Sequence, residues 1–305
     1  MGLFYYRIYG LIIGSDIELD GVERVESSNA LDCIIQRKEM NSDFSNEIDV
    51  EERMGKGYLI TYSKDWACIR FVHQGIFVVV EGKEINYELK EGYDPVYINS
   101  VIVSTVINIA LMQQGRIVLH GSAICLNDKV IALCGESGSG KSTLTSEFIE
   151  QGVQFMADDS IALSFEKNKV YAQSAYARRK LCRDAAIKYG YNPNELIKVA
   201  SEEKDKFFVT VEKQFVKDPK VLAAIVVITE NDAEKVTLKE VLGANKIRFV
   251  LDNLFKRNDF GANKLDQKEF KNCLEIVKKI PIYQLERPRN KMTVKEQVNV
   301  IKETV

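Results

Sequence analysis

Nine consecutive residues constrain this chain more than any other stretch of it. Gly135, Glu136, Ser137, Gly138, Ser139, Gly140, Lys141, Ser142 and Thr143 complete the pattern G-x-x-x-x-G-K-[ST]. The β-branched run 130–134 precedes them. A helical pattern over 142–151 follows, with Leu144, Phe148 and Ile149 on its apolar face and Gly152 as its stop. Strand, glycine-rich turn and helix in that order make a cradle for phosphate. Glycines 135, 138 and 140 permit dihedrals that turn successive N–H groups inward, and the helix start adds its positive end. The Lys141 ammonium can reach β- and γ-phosphates, while the Ser142 hydroxyl can ligate Mg²⁺. A chance glycine-rich turn is the alternative, but the motif stands in its full context, and nucleotide binding is the reading.

The residues that follow narrow the chemistry. Residues 154–157 read as a strand leading into Asp158-Asp159, with fifteen residues between Ser142 and the nearer carboxylate. That is enough chain for a helix and a return strand, and doubly wound geometry would put both carboxylates near the phosphates. One can hold Mg²⁺ and the other can accept a proton from an attacking hydroxyl. The competing reading is a turn, since Asp-Asp-Ser is also good turn chemistry. His120 lies one strand before the loop; by itself it reads as a structural residue at a strand end. His73, beside Gln74 and Gly75, reads as a turn residue.

Composition excludes several other classes. Lysine plus arginine total 42 against 44 acidic residues, a net charge of −2, without the basic excess of a dedicated nucleic-acid binder. With 46% hydrophobic and 28% charged residues the chain can build a core. Six cysteines without a C-x-x-C pair and only two histidines make a zinc site hard to assemble. Unpaired cysteines suit a reducing compartment. The apolar stretch 96–112 is interrupted by polar residues and is shorter than a span needs, so a buried helix is expected. The expected location is cytoplasmic, with no membrane or nucleic-acid partner.

The organisation predicted is a β-rich N-terminal domain over 1–92 and an α/β domain over 93–305. Runs at 58–62, 67–72, 76–80 and 85–89, split by tight turns, predict an antiparallel meander, and 39–56 a polar loop. Asp94-Pro95 predicts a helix start and Gly115 its end. Strands are expected at 117–119, 123–126, 130–134, 154–157, 161–165 and 170–172. The run 221–229 reads as a central buried strand. Helices near 245–256 and 264–279 flank Gly261, a strand follows at 282–285, and Thr293 with Glu296 predicts a capping box on the last helix.

Taken together, Leu119-His120-Gly121-Ser122, residues 135–143 and Ala157-Asp158-Asp159 resemble the HPr kinase/phosphorylase superfamily, whose kinase domain is related to phosphoenolpyruvate carboxykinase. The closer likeness is to HPr-kinase-like enzymes of lasso-peptide biosynthesis, through Tyr6-Arg7-Ile8-Tyr9-Gly10-Leu11 with Ser15-Asp16 and Leu19, and through Thr143 where bifunctional HPr kinases carry glutamate. The second HPr-kinase signature is not recognisable, which argues against HPr as substrate and against phosphorylase activity. The resemblance implies a mixed-sheet P-loop kinase domain behind a β-rich domain. It also implies an ATP- and Mg²⁺-dependent kinase for a serine hydroxyl of a peptide, such as the C-terminal serine of a lasso-peptide precursor. It gives Lys141 and Ser142 the phosphates and Mg²⁺, Asp158 the general base, Asp159 the metal or a positioning role, and His120 a place beside the transferred phosphate. Arg178, Arg179, Lys180, Lys204 and Lys206 could meet an acidic peptide terminus or phosphate; solvated surface charge is their alternative. A small-molecule kinase (for free serine, for example) and a regulatory P-loop ATPase are the competing functions. Homo-oligomerisation stays open.

Overall fold

The computed structural model describes residues 2–26, 30–40, 58–71, 73–199, 205–232, 234–255, 265–289 and 291–305. Among these, a first sheet is built from β1 (Phe4–Ile8), β2 (Leu11–Ser15), β3 (Glu23–Arg24), β4 (Cys33–Arg37), β5 (Tyr58–Tyr62), β6 (Trp66–Phe71), β7 (Gly75–Val80) and β8 (Glu84–Leu89). They lie in the order β3-β1-β2-β4-β8-β7-β6-β5. The predicted meander is present as consecutive antiparallel pairs from β5 to β8. The sheet as a whole is mixed, because β4 pairs in parallel with both β2 and β8. Most of the polar loop predicted over 39–56 lies outside the described residues.

Helix α1, Pro95–Gln113, begins as the sequence predicts. Asp94 accepts hydrogen bonds from the N–H groups of Val96 and Tyr97, with Pro95 in the first turn, and Gly115 adopts φ +74° just past its end. The helix is long and apolar enough to cross a membrane, but 78% of its apolar window is buried inside the protein. One continuous apolar cluster explains that burial. It runs from Tyr6, Ile13 and Phe77 of the first sheet through Ile102 and Ile109 of α1 to Leu119, Ile161 and Ile225 beyond it. Residues 102–106 of α1 form a π-helical turn that no sequence periodicity announces.

The second sheet takes β9 (Ile117–Leu119), β10 (Gly121–Leu126) and β11 (Lys129–Gly135), then, after helix α2 (Lys141–Glu150), β12 (Gln154–Ala157), β13 (Ile161–Glu166) and β14 (Lys169–Ala172). A separate small sheet follows: β15 (Arg178–Cys182), helix α3 (Arg183–Lys188), β16 (Lys198–Val199) and β17 (Lys206–Thr210). The chain then returns to the second sheet with β18 (Lys220–Asn231) and β19 (Thr237–Glu240). After helices α4 (Asn245–Asp252) and α5 (Gln267–Lys279) it adds β20 (Ile282–Pro288), and it closes with α6 (Val294–Thr304). Strand β18 is central, parallel to β11 and β20 and antiparallel to β14. Both its faces are covered, so Ala224, Ile225, Val226, Val227 and Ile228 are all buried, as the unbroken apolar run predicts. Each of the larger side chains contributes on the order of 1.5–3 kcal/mol by burial.

Several expectations are corrected. The arrangement around the phosphate-type loop is not doubly wound, because β10 lies between β11 and β12 and is antiparallel to both. The helix predicted over 245–256 stops at Asp252, where Leu254 bridges to Leu119; Gly261 lies outside the described residues. The capping box predicted at Thr293 is absent, since the Thr293 side chain makes no cap hydrogen bond and instead accepts from Gln297. A complete box stands at Asp266 and Glu269, at the start of α5. The small sheet was not foreseen at all.

The α5 box carries a prediction. The Glu269 backbone N–H, donating to the Asp266 carboxylate, is the main cause that holds this carboxyl below its ordinary range. Its stabilisation is therefore present at neutral pH and is lost as pH falls through that lowered value. Asp266→Ala should cost about 1 kcal/mol in urea unfolding at neutral pH, and Asp266→Asn, which still caps, only a few tenths. The difference between wild type and Asp266→Ala should shrink at acidic pH.

Candidate functional site

Because β11 and β12 both run against β10, their C-terminal ends emerge at the same edge of the sheet. Gly121 at the start of β10 faces Cys134, and Ala123 faces Ala157. Two strand spacings, about 10 Å, separate the two ends. The loop 135–140 leaves one, Asp158-Asp159 leaves the other, and His120 precedes the strand between them. The structure thus brings the predicted residues together by a route different from the one expected.

The loop is shaped by its glycines. Gly135 adopts φ +136°, Gly138 φ +89° and Gly140 φ +102°. A Cβ on Gly135 would lie 2.5 Å from the Ile228 carbonyl oxygen, so this position is closed to side chains by backbone contact as well as by φ. Glu136, Ser137 and Gly138 are exposed, Ser139 is buried, and α2 starts at Lys141 with Ser142 exposed in its first turn. The Lys141 Nζ donates to the carbonyls of Gly135 (2.6 Å) and Glu136 (2.9 Å), across the mouth of the loop. Burial pushes this ammonium's pKa down, with Lys206 of β17 acting the same way and the charges of Asp159 and Asp158 opposing it. Beneath the loop, burial pushes the Cys134 thiol up to about 12. Thr143 faces the small sheet through its carbonyl, which accepts from the Tyr189 hydroxyl at 3.2 Å.

The two carboxylates are held differently. Asp158 accepts from the Ser122 hydroxyl (2.9 Å) on one oxygen and from the Lys180 backbone N–H (3.0 Å) on the other. Asp159 sits in the left-handed region at φ +71°, a conformation aspartate tolerates at some cost. Its carboxylate lies 3.4 Å from the Lys180 ammonium and 3.8 Å from the His120 ring. His120 Nδ1 is also 3.0 Å from the Asp159 carbonyl oxygen. His120 is thereby placed in the cluster, where the residue alone had suggested only a structural role. His73 stands in a turn at φ +62°, as expected. Among the described residues no group of three His, Cys, Asp or Glu side chains gathers as a ready-made metal site. A partly exposed carboxylate and a hydroxyl still suit Mg²⁺, which takes few protein ligands and completes its shell with phosphate oxygens and water.

No family model matches the chain. Among curated proteins it is similar to the HPr kinase/phosphorylase of Mycoplasmopsis pulmonis, 27% identical over 81 residues, which is 26% of this chain and 26% of that protein. Over those 81 residues the chain is similar to that enzyme. The match spans about a quarter of the relative's length. Among solved structures, the Hpr(Ser) kinase/phosphatase from Coxiella burnetii aligns with 61% of this chain and 95% of its own, at 14% identity and a TM-score of 0.33, a likeness too low to carry weight on the fold.

Three contacts in this chain had no signal in the sequence. Arg287, at the end of β20, donates from Nε to the Ser139 carbonyl at 2.9 Å and pairs with Glu230 at 3.2 Å, bracing the loop from 148 residues away. Lys180 reaches both aspartates. Arg179 corrects the surface-charge reading: it is only 2% exposed and donates to Ser146 Oγ of α2 at 2.7 Å. Lys206 lies on β17, and Lys204 lies outside the described residues. A burial alternation along β15, with Arg179 and Leu181 inward, hides behind the residue types Arg-Arg-Lys. Removing the Arg287 guanidinium should loosen the loop. In Arg287→Ala, amide hydrogen exchange at residues 137–140 should quicken at least about tenfold, the equivalent of one lost charge-assisted hydrogen bond, while exchange in β18 stays unchanged.

Proposed function

We propose that this chain is an ATP- and Mg²⁺-dependent kinase that transfers the γ-phosphate to a serine hydroxyl of a peptide. The observation that carries the reading is the meeting, at one sheet edge, of a G-x-x-x-x-G-K-[ST] loop with Asp158, a carboxylate whose two oxygens each keep one anchoring hydrogen bond. In this reading the loop amides, Lys141, Ser142 and Thr143 hold the nucleotide phosphates. The likeness to HPr kinase/phosphorylase supports the same class. The N-terminal Tyr6–Leu11 motif supports the finer assignment, the C-terminal serine of a lasso-peptide precursor.

Each anchored oxygen of Asp158 keeps an unused lone-pair direction, so the carboxylate can accept the proton of the attacking serine hydroxyl. The serine oxygen forms the new P–O bond as the bond from the γ-phosphorus to the β,γ-bridging oxygen breaks, leaving ADP. Lys141 and the loop N–H groups stabilise charge on the β- and γ-oxygens as it develops. When bound, Mg²⁺, held by Ser142 and Asp159, would neutralise those same oxygens. His120 lies against Asp159 and sets the boundary of the space beside the transferring group. The domain reading, 1–92 and 93–305, stands as part of this proposal, with the P-loop kinase unit in the second part.

Labelled ATP and a serine-ending peptide test the reading. Asp158→Asn should lower kcat by about a thousandfold and leave the KM for ATP within about twofold. Lys141→Ala should weaken nucleotide binding and transfer together. Turnover like wild type in Asp158→Asn would remove the base assignment. Transfer to free serine but not to peptide would favour the small-molecule reading, and release of phosphate to water alone the ATPase.

A further inference from the structure

The motif Tyr6–Leu11 spans the turn between β1 and β2, and at its tip Gly10 is exposed while the Tyr9 side chain points inward. Tyr9 is fully buried at φ +53°, followed by Gly10 at φ +72°. The tip is fixed at its backbone: Tyr9 N–H donates to the Ser174 carbonyl at 2.7 Å, and the Arg116 guanidinium donates to the Tyr9 carbonyl at 3.2 Å. A Cβ on Gly10 would lie 2.3 Å from the Gln173 side-chain oxygen, so the turn is pressed against the segment after β14.

Beyond that anchor, the Tyr9 hydroxyl ends directly behind the paired aspartates. It lies 2.7 Å from Ser160 Oγ and 3.3 Å from the Val103 carbonyl. Ser160 Oγ also accepts from Asn108 Nδ2 at 2.8 Å, and the same Asn108 amide donates to the Ser104 carbonyl. These contacts have one self-consistent direction. Asn108 donates to Ser160, Ser160 donates to Tyr9, and Tyr9 donates to the Val103 carbonyl. Val103 belongs to the π-helical turn of α1, a feature frequent at functional sites. All four residues are buried, where a completed chain of hydrogen bonds rigidifies and a broken one is costly.

We propose that Tyr9 is a positioning residue for the phosphoryl-transfer site: the β1–β2 turn, through Ser160, holds Asp159 in its left-handed conformation and so sets the His120–Asp159 contact. This rests on the kinase reading only for its effect on turnover. A left-handed non-glycine residue persists where its surroundings over-determine it. Here the residue after Asp159 is clamped from two sides, by α1 and by a turn 151 positions earlier in the chain. The N-terminal sheet then serves the site by fixing its geometry.

The two histidines make the test direct, because two sets of imidazole signals are simple to assign by NMR. In Tyr9→Phe the His120 ring signals should shift or broaden while those of His73 stay in place. Turnover should fall about ten- to a hundredfold, as for a small displacement of reacting groups, with the KM for ATP within about twofold. Ser160→Ala severs the same chain from the loop side and carries the same expectations if Tyr9→Phe fails to fold. The double variant should lose no more than the worse single one. Unmoved His120 signals, or moved signals with unchanged turnover, would overturn the proposal. Displaced His120 signals in a protein whose wild type transfers phosphate to no hydroxyl would uphold the clamp and remove the kinase reading instead.

Discussion

Strand β10 runs antiparallel to both β11 and β12, and that pairing sets where every group of the proposed site stands. Had β12 paired directly with β11, the aspartates would lie one strand spacing, about 5 Å, from the loop strand. With β10 between them the gap is about twice that, room for a transferring phosphoryl group and its acceptor. The interposed strand also contributes its own start. His120 precedes Gly121, and Ser122 supplies the hydroxyl that fixes Asp158. Gly121 is required there, since a Cβ would meet the Leu133 carbonyl oxygen at 2.5 Å.

Around that edge the chain brings support from distant segments. Arg287 braces the loop from β20, Lys180 meets both aspartates from the small sheet, and Tyr9 reaches Ser160, next to Asp159, from the N-terminal turn. Arg179 extends the same small sheet onto α2 through Ser146. Charged groups this buried are costly unless well engaged, and two guanidinium nitrogens of Arg179 have no hydrogen-bond partner among the described residues. Their position between β15 and α2 links the element that holds Asp158 to the one that begins with Lys141.

How much of this the sequence exposed depended on whether local chemistry or distant contact decided the outcome. The loop was legible because its glycines, lysine and hydroxyl are dictated by backbone geometry within nine residues. The start of α1 was legible for the same reason, in Asp94 and Pro95. The small sheet was not, because Arg179 fills an inward position where the strand pattern calls for an apolar side chain. Nor was the order of strands, since an apolar run does not state its neighbour. The box at Asp266 and the missing one at Thr293 share one motif spacing but differ in the backbone angles the tertiary structure imposes: Thr293 has φ −115° and ψ 17°, Asp266 φ −70° and ψ 168°.

The central claim is that two strand ends, separated by β10, form one nucleotide-dependent site. Hydrogen–deuterium exchange with and without MgATP tests it most directly. Protection should appear together over residues 135–143 and over 157–160, with the same dependence on nucleotide concentration, and should vanish at both in Lys141→Ala. Protection confined to the loop, or absent from both segments, would contradict the account.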